Sequence, residues 1–391
     1  MKFTVTRDAL ADAAAVAART VPRSPTLPVL AGVRLDVDGD RLTVAAYDYE
    51  LASTITVEAT STEPGTVLLS ARLLADITHS LPAGEPVTCA VEGSKVRLTC
   101  RASTFTLLTL PLEDYPSLPE APAALGTVDA DAFATAAQRT LIAAAHDATL
   151  PALCAVRLRL TPTGIVLEAT DRYRLASARL AWQATERDDE LAAHLADNIE
   201  AYVPATALAD IARSLAGGGT LRIGAALPAD PNGPSGNLPT LAAFNTPGRE
   251  LTTRLAAEPM PGTDAMWPET AQHLDVDAGL LRESIKRVAV VAERNPPVRL
   301  IAETDTLTLE AGTGDEAQAT ETLPCALHAP EPMRAAFNPG FLAEGAAAVQ
   351  ADTVRLAFTT VIRPFVLTAA NQPDAASTDY RYLLMPVRLS G

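Results

Sequence analysis

The chain contains few of the residues that carry metal binding or redox chemistry. Of its 391 residues only five are histidine and four are cysteine. The cysteines show no CxxC pattern and no paired spacing, which indicates small buried side chains in a reducing compartment. No histidine has a second histidine, a cysteine or a carboxylate at the sequence spacing that metal ligands usually show. The sequence therefore predicts neither a metal site nor a disulfide framework.

Long apolar runs and catalytic motifs are also missing. No run approaches the ~18 residues that a membrane span needs. The N-terminus, MKFTVTRDAL, enters a predicted strand and helix directly, without the pattern of a signal peptide. The GxSxG, HExxH and P-loop motifs do not occur. We therefore expect a soluble, cytoplasmic protein with no catalytic residues, no cofactor and no membrane contact.

Positive charge is scarce relative to negative charge. Lys and Arg together number 31 against 47 Asp and Glu, which gives a formal net charge of −16. A protein that gripped DNA with its whole surface would be basic, so any DNA contact here requires segregated basic groups. Aromatic residues make up only 4% of a chain that is 48% hydrophobic, so aliphatic side chains and Ala must fill its cores.

What the sequence does contain is repetition. One block starts with Val-Arg-Leu and reads as an alternating strand, a tight polar turn and a second alternating strand. Its copies occupy 33–48, 156–171 and 298–315. A helical block also repeats, with its central Leu-Ala pairs 134 residues apart both times; its copies occupy 73–81, 207–215 and 341–349. Such a long period indicates one domain present three times, because solenoid repeats are roughly 20–50 residues long.

Each copy reads as strand, helix and further strands, twice over. This order predicts the α+β class, with two helices packed on antiparallel sheets in every module. Proline-rich joints separate the modules. The predicted domains are 1–122, 127–257 and 273–391. Capping chemistry predicts helix starts at Thr6, Ser70, Asp129 or Asp131, Asp277 and Asn338-Pro339.

The predicted helices are less acidic than the rest of the chain. They carry eight basic and seven acidic residues, whereas acidic residues dominate overall. A shared helical face would therefore be less negative than the remaining surface, although ordinary solvated helix surfaces would give the same count. Asp48, Asp171 and Asp315 recur at matched positions after the second hairpin strand, which favours a turn-capping role over catalysis.

Six segments in this order resemble the bacterial sliding clamp family, the beta subunit of DNA polymerase III, in an actinobacterial-like form. They are SPTLPVLAGVRL (24–35), LPLEDYPSLP (110–119), ATDRYRLASARL (169–180), RNPPVRL (294–300), AFNPGFL (336–342) and LLMPVRL (383–389). The resemblance covers essentially the whole chain. It implies three tandem clamp-type domains that form half of a closed ring, completed as a head-to-tail homodimer. Such a clamp is a non-enzymatic processivity factor that encircles double-stranded DNA without sequence specificity.

The resemblance also implies protein partners. In this family the replicative polymerase alpha subunit, the clamp loader, repair polymerases, ligase and mismatch-repair proteins bind by short linear motifs. They share one pocket per chain, between the second and third domains. Apolar walls with a few polar anchors suit an apolar peptide side chain. The corresponding pocket residues are Leu153, Thr170, Arg172, Tyr173, Arg174, Leu175, Pro261, Met266, Asn338, Phe341, Ile362, Pro364, Leu384, Met385, Pro386, Val387 and Arg388.

Two further surfaces follow from the resemblance. One is the DNA-facing inner surface, where weak contact with the phosphate backbone permits sliding. Its expected basic residues are Arg7, Arg19, Arg23, Arg72, Arg139, Arg213, Arg282 and Lys286. The other is the dimer interface, where an apolar edge strand of the first domain meets the third. Its expected residues are Phe105, Leu107, Val290 and Glu316.

The second joint, MPGTDAMWP, departs from the family pattern. Met260 stands where a Phe is usual, and Ala265 occupies a position that is commonly Arg. This departure leaves a second function open, that of a specialised clamp paralogue conferring resistance to a clamp-binding antibiotic. A third alternative, an unrelated enzyme with a triplicated fold, has no nucleophile–base pair or metal cluster to support it.

Overall fold

The computed structural model describes residues 1–22, 24–147, 149–185, 198–215, 217–227, 238–291, 297–312, 317–371 and 379–388. Its contacts divide the chain into two compact units. Unit one contains Met1–Ala134, Thr206–Ala257 and the described residues of Trp182–His194. Unit two contains Thr135–Ala181, Glu258–Gly391 and Leu195–Ala205, as far as these are described. Within the described ranges, no helix is long and apolar enough to cross a membrane.

In the described residues, several strands separate each α-helix from the next. The α-helices are α1 Arg7–Thr20, α2 Ala71–Ser80, α3 Ala130–Leu141, α4 Ala205–Ser214, α5 Ala278–Val288 and α6 Pro339–Ala348. Short 3-10 helices span Pro28–Ala31, Pro151–Leu153, Asp264–Met266 and Ala289–Val291. The first strands are β1 Lys2–Thr6, β2 Gly32–Asp38, β3 Arg41–Tyr47, β4 Leu51–Glu58, β5 Thr60–Glu63, β6 Gly65–Ser70, β7 Pro86–Glu92, β8 Lys95–Cys100 and β9 Ser103–Leu108.

The strands continue in the middle and C-terminal parts. The middle ones are β10 Ala124–Asp129, β11 Ala155–Leu160, β12 Gly164–Thr170, β13 Arg174–Ala181, β14 Gln183–Ala184, β15 Ile199–Pro204, β16 Thr220–Ala225, β17 Leu241–Thr246 and β18 Arg249–Arg254. The last are β19 Gln272–Asp277, β20 Val298–Ala302, β21 Thr306–Ala311, β22 Ala319–His328, β23 Met333–Phe337, β24 Thr353–Phe358, β25 Phe365–Ala369 and β26 Tyr380–Leu384.

Unit one is built on two antiparallel sheets. A five-stranded sheet has the order β5-β1-β7-β8-β9, and a nine-stranded sheet has the order β14-β10-β16-β17-β18-β4-β3-β2-β6. Helix α1 packs on α2, β3 and β4, and its Leu10, Ala13 and Ala17 are buried. In the larger sheet, β18 of the middle module pairs directly with β4 of the first module. The sheet therefore continues from one module into the next.

Unit two contains one antiparallel sheet of twelve strands. Its order is β15-β11-β12-β13-β26-β25-β24-β19-β22-β21-β20-β23. Here β13 of the middle module pairs with β26 of the last module, with Arg174 opposite Leu384 and Ala178 opposite Tyr380. This register places the turn that precedes β13 beside the C-terminal segment, where many of the predicted pocket residues occur.

The predicted repeats are confirmed as structural repeats. The Val-Arg-Leu block forms the hairpins β2–β3, β11–β12 and β20–β21. The helices α2, α4 and α6 begin at Ala71, Ala205 and Pro339, which are 134 residues apart both times. Helices packed on antiparallel sheets confirm the α+β class.

Three of the predicted helix caps form and two do not. The Asp129 carboxylate accepts a hydrogen bond from the amide of Ala132 at 2.8 Å. The Asp277 carboxylate accepts a hydrogen bond from the amide of Leu280 at 2.7 Å, and Asn338 accepts one from Phe341 at 3.1 Å. Thr6 and Ser70 stand at cap positions without a side-chain capping bond.

Two of the three recurrent aspartates cap turns as predicted. The Asp48 carboxylate accepts from the amides of Glu50 at 2.9 Å and Leu51 at 2.7 Å. The Asp171 carboxylate likewise accepts from the amides of Tyr173 and Arg174, at 3.0 Å each. Asp315 lies outside the described residues.

Candidate functional site

A cavity of about 470 Å³ lies in unit two, beside the second joint. Its lining is mainly apolar, with a few polar groups at the margin. The lining residues are Thr149, Leu150, Pro151, Ala152, Leu153, Thr170, Arg172, Glu258, Pro261 and Met266. The structure therefore brings together five residues that the sequence predicts for the pocket, although they lie up to 113 positions apart between Leu153 and Met266.

Local hydrogen bonds fix the middle-module side of this cavity. Leu153 ends the 3-10 helix before β11 and is buried. The Thr170 hydroxyl donates to the carbonyl of Arg174 at 2.7 Å and accepts from the amide of Arg172 at 3.1 Å. Arg172 has a φ of 79°, the left-handed region that L side chains seldom adopt. The turn is thus held in one conformation by Thr170 and the Asp171 cap.

Arg174 is buried inside unit two and does not line the cavity. Its Nε donates to Asp171 at 2.8 Å, its guanidinium pairs with Glu344, and it lies 4.0 Å above the Phe341 ring. The pKa of Arg174 is raised; burial alone would lower it, but the interactions with Tyr382, Glu344 and Asp171 outweigh burial. Arg174 therefore ties the β12–β13 turn to α6.

The remaining predicted pocket residues fall into three groups by exposure. Those buried are Arg174, Leu175 and Leu384. Those partly exposed are Asn338, Phe341, Pro364 and Pro386. Those exposed are Tyr173, Ile362, Met385, Val387 and Arg388.

The C-terminal segment is fixed next to the pocket turn by its backbone. The amide of Met385 donates to the carbonyl of Tyr173 at 2.9 Å, and the amide of Val387 donates to that of Ala336 at 2.7 Å. Met385 remains 39% exposed and Val387 remains 40% exposed. The segment thus offers apolar side chains to solvent from a fixed backbone.

Sequence reasoning missed one wall of the cavity, Leu150 to Ala152. The signal was available, because LPAL at 150–153 matches LPVL at 27–30 in the first module. Both segments form a 3-10 helix before the repeated hairpin. In the first module Val29 and Leu30 are covered by Leu110 and Tyr115 of the chain itself. The matching surface there is thus filled internally.

Three of the predicted DNA-facing arginines are largely engaged within the protein. Arg7 bonds to Asp8 and to the carbonyl of His79. Arg19 donates to Ser214 at 3.2 Å, and burial lowers the pKa of Arg19. Arg139 donates to the carbonyls that end α6 and lies 4.0 Å above the Tyr380 ring. Burial also lowers the pKa of Arg139.

The other predicted DNA-facing groups are more accessible. Arg72 is exposed, Arg213 pairs with Asp210 on the surface, and Lys286 pairs with Glu283. Arg282 is partly exposed. Arg23 lies outside the described residues.

The predicted dimer residues differ in accessibility. On β9, the end strand of its sheet, Phe105 is partly exposed but Leu107 is only 2% exposed. The neighbouring Leu108 is 69% exposed, because alternate strand residues face opposite sides. Val290 is 83% exposed at the end of the α5 region. Glu316 lies outside the described residues.

One cluster of histidine and carboxylate groups was not predicted from the sequence. His273 and His328 are opposite each other on β19 and β22, with rings stacked 4.4 Å apart, and Asp275 is close by. Both Asp275 oxygens already accept from Arg355 at 2.8 Å. The guanidinium charge opposes a cation there, so we assign no metal to this cluster.

Family models match the chain in three consecutive parts. The N-terminal domain of the DNA polymerase III beta subunit matches residues 1–119. The central domain matches 127–256, and the C-terminal domain matches 265–388. The three matches therefore follow the order of the three structural repeats.

Individual relatives agree with these models. The beta sliding clamp of Streptomyces coelicolor is 40% identical over 393 residues, covering 100% of both chains. The beta sliding clamp homolog GriR of Streptomyces muensis is 35% identical and covers 99% of both. Among solved structures, the DNA polymerase III subunit beta of Pseudomonas aeruginosa is 26% identical, with a TM-score of 0.84 and complete coverage of both chains. A P. aeruginosa sliding clamp bound to griselimycin gives 25% identity, a TM-score of 0.86 and again complete coverage of both chains.

Proposed function

The chain belongs to the DNA polymerase III beta subunit family, the bacterial sliding clamps. On that premise we propose which of its surfaces bind partner peptides, form the dimer and face the DNA. The family implies a non-catalytic processivity factor that encircles DNA, dimerises and binds partner proteins. The alternative of a resistance paralogue is not favoured. The chain is more similar to a relative named simply as a beta sliding clamp, that of Streptomyces coelicolor at 40% identity, than to one named as a clamp homolog, GriR at 35%.

The first proposed surface is the cavity in unit two, as the site for partner peptides. The observation that supports it is the convergence of Leu153, Thr170, Pro261 and Met266 on one largely apolar cavity. A recess of this size and lining suits apolar peptide side chains, with Thr and Arg groups at the margin to orient the peptide backbone. The P. aeruginosa relative has been solved with griselimycin. We propose griselimycin as a second probe for this chain.

Several partners are proposed to share this cavity. They are the alpha subunit of the replicative polymerase, the clamp loader, repair polymerases, ligase and mismatch-repair proteins. Each would present a short linear motif, so binding would be mutually exclusive. Exposed Met385 and Ile362 extend the apolar surface available in unit two.

The test is a pair of truncations, Met385→Ala and Met266→Ala. Each should weaken binding of a fluorescein-labelled polymerase-tail peptide by roughly 1–3 kcal/mol, as expected for an apolar anchor. Fluorescence anisotropy measures the affinity, and sedimentation checks that assembly is unchanged. The matched control is Leu27→Ala, a similarly exposed apolar side chain of unit one. Equal affinity for both methionine variants and the parent would reject the pocket.

The second proposed surface is the dimer interface, between β9 of one copy and β22 of another. Strand β9 ends its sheet. In β22 the residues Ala319 to Pro324 pair with β21, whereas pairing with β19 begins at Cys325. The first half of β22 therefore has one strand partner among the described residues and can accept a second from another copy.

Apolar contact and strand pairing, more than charge, should hold this interface. Arg97 and Arg101 near β9 already pair with Glu92 and Glu85 of their own chain. Glu321 on β22 accepts from Ser284 and Arg287, and the hydrogen bond from Arg287 lowers the pKa of Glu321 to about 2. Exposed pairs of this kind contribute little. Phe105, Leu108 and Val290 are the apolar groups available.

The third proposed surface is the DNA-facing one. We assign it to the accessible Arg72, Arg213, Arg282 and Lys286. Arg7, Arg19 and Arg139 stay in the proposed surface, but their internal hydrogen bonds reduce what they offer to phosphates. A clamp that slides rapidly needs only a few basic side chains available to phosphates, and it needs no contact with base edges.

A further inference from the structure

Thr263, in the second joint, is a polar residue with no exposed surface. Its hydroxyl accepts from the guanidinium of Arg157 at 2.6 Å and donates to Glu168 at 3.1 Å. Arg157 and Glu168 are themselves 4% and 2% exposed and form a close ion pair. The joint is therefore hydrogen-bonded to a buried ion pair in the middle module.

The sheet does not need the threonine in order to hold this ion pair. Arg157 on β11 and Glu168 on β12 are opposite residues of the same hairpin. Arg157 also lies 3.6 Å from Glu200 on β15. The pKa of Arg157 is raised; burial alone would lower it, but the interactions with Glu168, Glu200 and Tyr202 together outweigh burial. What the Thr263 hydroxyl adds is the connection to the joint.

The same joint forms one wall of the cavity. Pro261 and Met266, which flank Thr263 closely in sequence, both line it. The carbonyl of Thr263 accepts from the amide of Met266 at 3.0 Å, which fixes the 3-10 turn of residues 264–266. Beyond the turn, the Arg381 guanidinium lies 3.8 Å above the Trp267 ring. The turn that presents Met266 is thus held on both sides.

We infer that Thr263, bound to the Arg157–Glu168 pair, is a positioning residue that fixes the joint as the outer wall of the peptide pocket. The inference rests on the proposed pocket and deepens it. If the proline-rich joint is already ordered before binding, the peptide does not have to order it, and less conformational entropy is lost on binding. Peptide affinity therefore depends on a hydroxyl that does not contact the peptide. The other polar connection between this turn and the middle module is Asp264, which lies 3.5 Å from Arg159 but is 76% exposed, and so exposed a pair contributes little.

The experiment compares Thr263→Val, which keeps the shape and removes the hydroxyl, with Thr263→Ser, which keeps the hydroxyl. Thr263→Val should raise the dissociation constant of the polymerase-tail peptide about tenfold, equal to about 1.4 kcal/mol. Thr263→Ser should stay within about twofold of the parent. The control is Thr252→Val, because Thr252 is buried in unit one and its hydroxyl has no hydrogen-bond partner among the described residues.

A second readout separates positioning from general stability. Amide hydrogen exchange in residues 260–267 should accelerate in Thr263→Val, while exchange in β11 and β12 stays unchanged. If Thr263→Val does not fold, hydrogen exchange is measured on the parent protein alone. The Met266 amide should then be protected from exchange in the absence of peptide. Exchange at the rate of an unstructured chain would overturn the inference.

The outcomes distinguish the inference from the function it rests on. If Met266→Ala and Met385→Ala weaken the peptide but Thr263→Val binds like the parent, the positioning role is wrong and the pocket stands. If none of the three changes affinity, the pocket assignment itself is wrong. If Thr263→Ser is as weak as Thr263→Val, the hydroxyl is not the group responsible.

Discussion

Gly345, in the middle of α6, is the position where the structure predicts the sharpest effect of adding one carbon. A Cβ there would lie 2.4 Å and 2.5 Å from two ring carbons of Tyr382, which is fully buried. Because ordinary carbon contacts are about 3.5–4.0 Å, the helix or the ring must move by roughly 1 Å. The ring has little freedom, since its hydroxyl donates to the carbonyl of Phe341 at 3.1 Å.

We therefore expect Gly345→Ala to be destabilising despite the better helix propensity of Ala. Overpacking a core costs about 1–3 kcal/mol, and replacing Gly in a helix returns up to about 1 kcal/mol. Contacts as short as 2.4 Å place the overpacking cost in the upper part of that range, at about 2–3 kcal/mol, so the net cost is about 1–2 kcal/mol. Peptide binding should also weaken, because Asn338 caps α6 and Phe341 lies in its first turn, and both are predicted pocket residues.

Urea unfolding followed by circular dichroism measures the first effect, and peptide anisotropy measures the second. The matched control is Gly340→Ala in the same helix, where the new Cβ would meet only the Asn338 side chain, at 3.3 Å. That variant should unfold at the parent's urea midpoint or above it. A Gly345→Ala protein as stable as both would show that α6 can move away from Tyr382 freely, which would refute the packing argument.

Three further predictions concern the rim, the histidine pair and the interface. Ala265→Arg should strengthen griselimycin binding about two- to fivefold by restoring a rim donor, with polymerase-tail peptide affinity nearly unchanged; unchanged griselimycin affinity in calorimetry would make the joint a neutral variation. Burial, followed by the charge of Arg355, lowers the pKa of His273, so the unfolded chain takes up its proton first on acidification. The free energy of unfolding should fall as the pH drops below about 6.5, and His273→Gln should remove that part of the slope; an identical pH profile would contradict this. Charged replacements at Phe105 and Leu108 should give monomers in sedimentation, and an intact dimer would reject β9 as the interface.

The sequence predicted the modular plan because its signals are local. Alternation in the Val-Arg-Leu hairpins, turn-capping Asp171 and helix-capping Asp277 each act within a few residues, and each forms as expected. The burial of Arg174 was not predictable in this way. It depends on Glu344, 170 positions away, and on the direct pairing of β13 with β26.

Other differences also come from long-range geometry. The sequence shows Phe105 and Leu107 as equivalent alternating residues of β9, but only the fold decides how much of each the module's own core covers. His273 and His328 meet because β19 and β22 are antiparallel neighbours in one register. The sequence spacing of the two histidines does not indicate that register, so their contact was not predicted.

The direct pairing of β4 with β18 and of β13 with β26 has a mechanical consequence. Under tension, modules that are joined only by linkers unfold one after another. Here the modules on either side of each joint also share hydrogen-bonded strand pairs. Tension applied to a DNA-loaded clamp would pass through these ladders, and the proline-rich joints would carry little of it. The same ladders explain why the middle module is a poor unit to excise: cutting it out would expose two bare strand edges, which invite aggregation.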